Sequence, residues 1–501
     1  MKVCIETPRR RGAEKTSMDN ISAVVDDCQD SSFSCLPRRL GASAFNLALL
    51  LSLAGCTVGP DYVKPTSEVP AAFKEAVGWK PAVPADALPR GKWWQVFGDE
   101  GLNALEERVA VSNQNLRLAE AQYRASVALS AQARAGQFPS VGANASSIRS
   151  EASSRTSSSS GVATSHSLSL QASWETDLWG GVRRAVEAAA AGVEASAADL
   201  AATKLSLQAT LAQDWYALRA LDAQQKLLDD TVAGYAKSLE LTQNRYRAGV
   251  AAAADVAQAQ TQLKSTQAQA LDVGVQRAQM EHAIALLVGQ APSTFALAPM
   301  PLLTAPPPAI PVGLPSTLLE RRPDVAAAER RVAAANAQIG VAKAAFFPDL
   351  SLSANGGWQS SALVGWISAP SRFWSFGPAL AQTVFDGGLR SAKQDQAMAA
   401  WAGTVASYRQ TVLAALSDVE DNLAALRILE REASVQDEAL QAAKKSLELA
   451  TNQYKAGVVS YLNVVTAQAA ALGAESTASA LRARRMAASV GLIKALGGGW
   501  E

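Results

Sequence analysis

Apolar positions along this chain follow two different periods. From about Gly98 to Gly136, Leu102, Leu105, Val109, Leu116, Ala119 and Tyr123 recur at helical spacing. The run stops at Phe138-Pro139, because proline drives the residue before it out of the helical region. Val141, Ala143 and Ala145, then Leu168, Leu170, Ala172 and Trp174, alternate with Ser, Asn or Gln, the period of a strand with two unlike faces. The segment between them, Ser150 to Ser165, is almost wholly Ser, Thr and Gly and predicts an exposed loop joining antiparallel strands. Gly180-Gly181 then opens a helical segment from about Val182 to Arg247, roughly 100 Å long at 1.5 Å per residue. It turns at Ala248-Gly249, where glycine takes the left-handed conformation that ends a helix, and a shorter helix returns to about Gly289.

The same plan is then written a second time. Tyr246-Arg247-Ala248-Gly249-Val250 with Asp255-Val256 and Gln260 returns as Tyr454-Lys455-Ala456-Gly457-Val458 with Asn463-Val464 and Gln468, an offset of about 208 residues. Phe347-Pro348 closes a helix, Leu350 and Leu352 lead to Trp358, a loop runs through Ser371, and Phe373 to Phe385 predicts the last strand before Asp386-Gly387-Gly388. A second long helix follows from about Leu389 to Lys455, and a shorter one ends near Leu496. Ala291 to Pro315 holds eight prolines and cannot be a regular helix. The chain therefore divides into a first repeat over residues 92–290, a linker over 291–315 and a second repeat over 316–501.

Charge changes the picture little: 46 Lys+Arg stand against 45 Asp+Glu, with no block of either sign, which argues against a nucleic-acid partner. The apolar share, 49%, is largely alanine mixed with Gln, Leu, Arg and Glu, the composition of long helices packed closely. Arg38-Arg39, the apolar stretch Ala42 to Leu53 and then Leu53-Ala54-Gly55-Cys56 have the form of an export signal over residues 1–55, too short for a membrane span. Because the cleavage site ends in cysteine it resembles a lipobox, with Cys56 the lipidated first mature residue. Met1 to Leu36 reads as an over-extended start, and its Cys4, Cys28 and Cys35 leave with the signal, so no intrachain disulfide is expected. Thr57 rather than Asp after Cys56 fits transport to the outer membrane of a Gram-negative cell. Residues 56–91, rich in Pro and Ala, predict an extended tether. His166 and His282 fall in different elements and no metal-ligand spacing occurs, so the sequence predicts no enzyme, no metal and no cofactor.

The fold class that results is mainly α with a small β part: long helical hairpins plus four strands per chain. Four strands cannot close a barrel, and an open sheet would leave unpaired amides in lipid at several kcal/mol each. Three chains would supply twelve strands. Trp174, Trp179, Trp358, Trp366, Phe373, Trp374 and Phe376 cluster in and beside the strands and predict aromatic girdles, the alternative being ordinary core aromatics. Val412, Leu416, Val419, Leu423 and Leu426 form a heptad seam in the second long helix, with Ala414, Ala415, Ala424 and Ala425 as small side faces.

Leu314-Pro315-Ser316, Leu318-Leu319-Glu320-Arg321-Arg322-Pro323-Asp324-Val325, Ala334-Ala335-Asn336-Ala337-Gln338-Ile339-Gly340 and Ala344-Ala345-Phe346-Phe347-Pro348 closely resemble the TolC/NodT-type outer-membrane factors of tripartite efflux systems. So do Gly59-Pro60-Asp61-Tyr62, Trp93-Trp94 and Trp174-Glu175-Thr176-Asp177-Leu178-Trp179-Gly180-Gly181. The resemblance implies a homotrimer with a 12-stranded transmembrane barrel and a helical tunnel, a periplasmic adaptor, and an inner-membrane pump of the resistance-nodulation-division class. It implies that Arg247, Gly249, Val250, Lys455, Gly457 and Val458 are adaptor-docking tips, the plainer reading being helix C-caps. Asp418, Glu420 and Asp421, placed near the lower part of the second long helix, are read as an acidic ring at a periplasmic gate or as a solvated face. Arg321, Arg322 and Asp324 are read as cap and interhelical bonds, with Pro323 in the first helical turn. Two other functions remain open at this point: the exit duct of a type I protein secretion system, and a non-conducting coiled-coil lipoprotein.

Overall fold

A computed structural model describes residues 57–67, 69–75, 91–152, 161–300, 307, 308, 310 and 321–498, all within one compact unit, Cys56–Glu501. The export signal, Cys56, residues 76–90 of the tether, about half of the Pro-rich linker and residues 316–320 lie outside the described residues.

The described chain runs α1 (Glu100–Ser112), α2 (Gln114–Ala135), β1 (Ser140–Ala152), β2 (Gly161–Thr176), α3 (Gly181–Arg247), α4 (Ala253–Leu287), α5 (Pro323–Ala344), β3 (Asp349–Ser360), β4 (Arg372–Ala381), α6 (Leu389–Lys455) and α7 (Tyr461–Ala495). The duplication is visible in the lengths: α3 and α6 have 67 residues each, α2 and α5 have 22, and α4 and α7 have 35. Each long helix is started in the same way. Asp177 accepts from Val182 N and Arg183 N, and Asp386 from Gly388 N and Arg390 N, which satisfies amides that have no intrahelical partner.

Each long helix is accompanied by two shorter helices that meet near its middle. The single helix expected from Gly98 to Gly136 is in fact broken at Asn113, whose backbone is extended. Its Oδ1 accepts from Leu116 N at 3.0 Å and its Nδ2 donates to Leu287 O, the end of α4, at 2.7 Å. The second joint is built differently on the same plan: buried Arg322 donates to Ala495 O at the end of α7 and to Asp324 and Asp418. Burial alone would raise the Asp324 carboxyl, but the Arg322 guanidinium overcomes it and holds the group below its usual range. A glycine with positive φ makes each approach possible. A Cβ on Gly289 (φ 69°) would stand 2.3 Å from Ser112 O, and one on Gly497 (φ 90°) 2.8 Å from Arg321 O.

The main core lies at the level of these joints. Trp93, Trp94 and Phe97 precede α1 and pack with Leu102, Leu105 and Val109 of α1, Leu211, Trp215 and Tyr216 of α3, and Val419 and Leu423 of α6. Asp99 caps α1 and accepts from Trp215 Nε1 at 2.8 Å and Arg219 Nη1 at 3.4 Å, so the cap is also a bolt to α3.

The sheet order is β1-β2-β3-β4, antiparallel throughout, and the β2–β3 pairing joins the two repeats. The Ser/Thr/Gly segment is not simply a loop: Ser150 pairs with Ala163 and Ala152 with Gly161, so the hairpin extends into it, and residues 153–160 lie outside the described residues. Polar side chains do not prevent strand pairing when the ladder uses only the backbone. The last strand stops at Ala381 rather than Phe385.

Candidate functional site

One-to-one pairing across all four strands assigns every strand residue to a face. One face carries Val141, Ala143 and Ala145, Leu168, Leu170, Ala172 and Trp174, Leu350, Leu352 and Ala354, and Trp374, Phe376 and Leu380. The other carries Asn144, Ser146, Ser167, Gln171, Ser173, Ser351, Ser353, Asn355 and Ser375, with its charges confined to Glu175 and Asp349 at the helix end. Much of the apolar face is bare: Trp374 is 82% exposed, Phe376 and Leu380 69% each. From Leu350 to Trp358 the apolar face spans roughly 26 Å of strand, about the height of an outer-membrane apolar band. Among the described residues nothing pairs with the outer edges of β1 and β4.

The aromatic set expected as girdles does not occupy one face. Trp174, Trp358 and Trp374 share the apolar side with Phe376, which also belongs to it. Phe373 falls on the polar side, since consecutive strand residues point oppositely. Trp179 lies beyond β2, stacked on Phe347 at 4.8 Å and donating to Pro348 O. Trp366 lies in the β3–β4 connection, 6.0 Å from the His166 ring.

The tether after Cys56 is ordered over most of its described length by contacts with both repeats. Val58 N donates to Trp179 O at 3.0 Å, Arg184 pairs with Asp61 at 2.8 Å, and Asn336 donates to Pro60 O. Burial, reinforced by Glu329, pushes the Tyr62 hydroxyl upward as it donates to that carboxylate. Phe73 enters the main core, and Glu75 contacts Arg427.

That tether accounts for part of the acidic cluster. Glu420 accepts from Lys74 N at 2.7 Å and Glu75 N at 2.9 Å, and Asp418 pairs with Arg322 at 3.0 Å. Only Asp421, exposed and accepting from Ser417, is left without a structural ion pair or tether contact among the described residues. The three are also not near the turn of α6. Asp421 stands 34 residues before Lys455, about 50 Å along the helix. The cluster belongs to the level of the joints; the apolar seam fixes its side of the helix but not its height.

At the turns, Val250 N donates to Arg245 O and Val458 N to Gln453 O, so both are helix C-caps. Arg247, Gly249, Val250, Lys455, Gly457 and Val458 are all exposed. A small core of Tyr454, Tyr461, Val464 and Ala259 lies beneath, and Arg245 joins the two turns, its guanidinium 4.8 Å from the Tyr454 ring and donating to Lys455 O.

Sequence reasoning passed over Glu106, which is fully buried on α1 with no hydrogen-bond partner among the described residues. Burial pushes its carboxyl up to about 9, so it is neutral at pH 7. Its position between Leu105 and Val109 was the available signal. Among the described residues no group of side chains is set to hold a metal ion, and no helix is long and apolar enough to cross a membrane.

The family model described as "Outer membrane efflux protein" matches residues 105–290 and again 314–498, one match per repeat. The chain is 33% identical to the probable efflux pump outer membrane protein TtgC of Pseudomonas putida over 455 residues, 89% of this chain and 93% of that protein. It is 32% identical to the pyoverdine export outer membrane protein OpmQ of Pseudomonas aeruginosa, covering 83% and 89% respectively. The solved structure of the outer-membrane channel OprN superposes with a TM-score of 0.82 at 31% identity, over 89% of this chain and all of that one.

Proposed function

Since this chain belongs to the outer membrane efflux protein family, we propose that it is the outer-membrane channel of a tripartite efflux pump, a passive duct carrying small molecules out of the cell. The observation that carries this reading is the two-faced, two-edged sheet continuous with a pair of 67-residue helices. An apolar face suits lipid and a polar face suits a water-filled lumen, while the unpaired edges of β1 and β4 require neighbours. Three copies joined β4 to β1 give twelve strands and leave no edge. Cys56 carries the lipid anchor, residues 92–290 and 316–501 are the duplicated halves, and 291–315 links them.

The duct has no chemistry of its own, so energy comes from an inner-membrane pump of the resistance-nodulation-division class through a periplasmic adaptor. Arg247, Gly249, Val250, Lys455, Gly457 and Val458 meet that adaptor. Trp174, Trp358 and Trp374 serve as interfacial anchors in the lipid. Asp421 is the one residue of the acidic group still available to line the lumen. The test is conductance in planar bilayers alongside the mass of the detergent-solubilised particle. A threefold particle with stable unitary currents is expected. A particle with no pore would return the molecule to the scaffold class.

A further inference from the structure

The apolar face of the sheet is not flat. Gly356 and Ala354 of β3, with Ala172 of β2, form the floor of a groove of about 740 Å³. Its walls are Trp374 and Phe376 on one side and Leu168, Leu170 and Trp358 on the other. Small residues beneath large ones on the same face make this relief, and a floor of one glycine and two alanines leaves room for a methylene chain. The groove lies within one copy's sheet, so edge-to-edge joining of copies leaves it open.

One end of the groove carries a cation. Arg372 begins β4 opposite Trp358, is exposed, and pairs with no carboxylate among the described residues. Between that level and Leu350 the apolar face has no charge. Arg372 therefore stands at the border of the apolar band, at the end away from the helices. On the duct reading, on which this inference rests, the helices occupy the periplasm and that border meets the outer leaflet.

We propose that the groove is a binding site for a phosphorylated glycolipid of the lipid A type: one acyl chain lies on Gly356 and Ala354, and a headgroup phosphate pairs with Arg372. Charge complementarity selects an anionic head, and the position at the outer border selects the glycolipid over the phospholipids of the inner leaflet. The aromatic walls hold the chain by contact along its length.

Native mass spectrometry of the full-length, delipidated channel incubated with lipid A, or separately with phosphatidylglycerol, tests this. Lipid A is expected to be retained, and Arg372→Glu to lower retention about tenfold or more, the loss of one charge-assisted contact. Gly356→Leu fills the floor, and its added Cβ meets Phe373 O and Trp374 Cβ at ordinary distances of 3.6 and 3.7 Å, so the backbone there has room for a side chain. It too should lose lipid A. Unchanged retention in both variants, or equal retention of phosphatidylglycerol, overturns the proposal. Single-channel currents of the same samples separate the two readings. A conducting wild type that holds no lipid A removes the site and leaves the duct, whereas a non-conducting wild type removes the duct itself.

Discussion

The long helices α3 and α6 are equal in length, capped by equivalent aspartates and ended by equivalent turns, yet their surroundings differ. Helix α3 packs against α1, α2, α4, α5 and α7, whereas α6 packs chiefly against α5 and α7. Accordingly α3 buries Trp215, Tyr216, Leu218 and Arg219 within two turns, while α6 leaves Leu413, Ile428 and Val435 more than half exposed. Duplication copied the element but not its neighbours. One copy has become the spine of the single chain, and the other displays apolar surface that the proposed assembly would cover.

Breaking the spine should have the largest effect on an individual copy. Trp215→Ala removes a buried indole and the 2.8 Å donor that ties Asp99 to α3, so a loss of about 3–5 kcal/mol is expected in chemical unfolding. A loss under ~1 kcal/mol would mean that the spine is elsewhere.

Glu106, on the α1 side of the joint, can be followed by titration. Its folded-state pKa of about 9 lies above the ~4.3 of an exposed glutamate, so the folded chain keeps a proton that the unfolded chain releases. Stability relative to Glu106→Gln should therefore fall as pH rises from about 4.3 to about 9, by an amount on the order of a few kcal/mol, and then level off. Thermal midpoints of both proteins across that range would reveal it, and a constant difference would contradict it.

At the turns, Arg245→Ala removes the contact with Tyr454 and Lys455 O, and about 1 kcal/mol of local stability is expected to go. Hydrogen exchange at residues 245–255 and 453–461 would rise, with the joint region unchanged. Smallest of all on the isolated copy is Val435→Asp on the exposed side of α6, within about 0.5 kcal/mol. The same change should weaken assembly, read as a shift toward single copies in the particle mass. If assembly is untouched, that side of α6 faces water or lumen instead.

Much of this was legible because the chain states its plan twice. The Gly-Gly pairs and the repeated Tyr-x-Ala-Gly-Val turns bounded both long helices to within a residue or two. The break at Asn113 was not legible, since an asparagine on a helical stretch looks like a surface residue until its cap and its bond to Leu287 are seen. The height of Asp418 to Asp421 was available from simple counting at ~1.5 Å per residue. Their ties to Arg322 and to the tether were not, because those partners are 96 and about 346 residues away. Phe373 beside Trp374 could have been separated by strand parity alone.

The β2–β3 pairing makes each copy's sheet one half from either repeat, with unlike margins at its two ends. In the proposed ring, closed by unlike margins, no subunit would be redundant, and a single chain with a spoiled β1 is expected to disable every ring it enters. Genetically, such an allele should be dominant: expressed beside the normal gene, it would sensitise cells more than deleting one of two normal copies would.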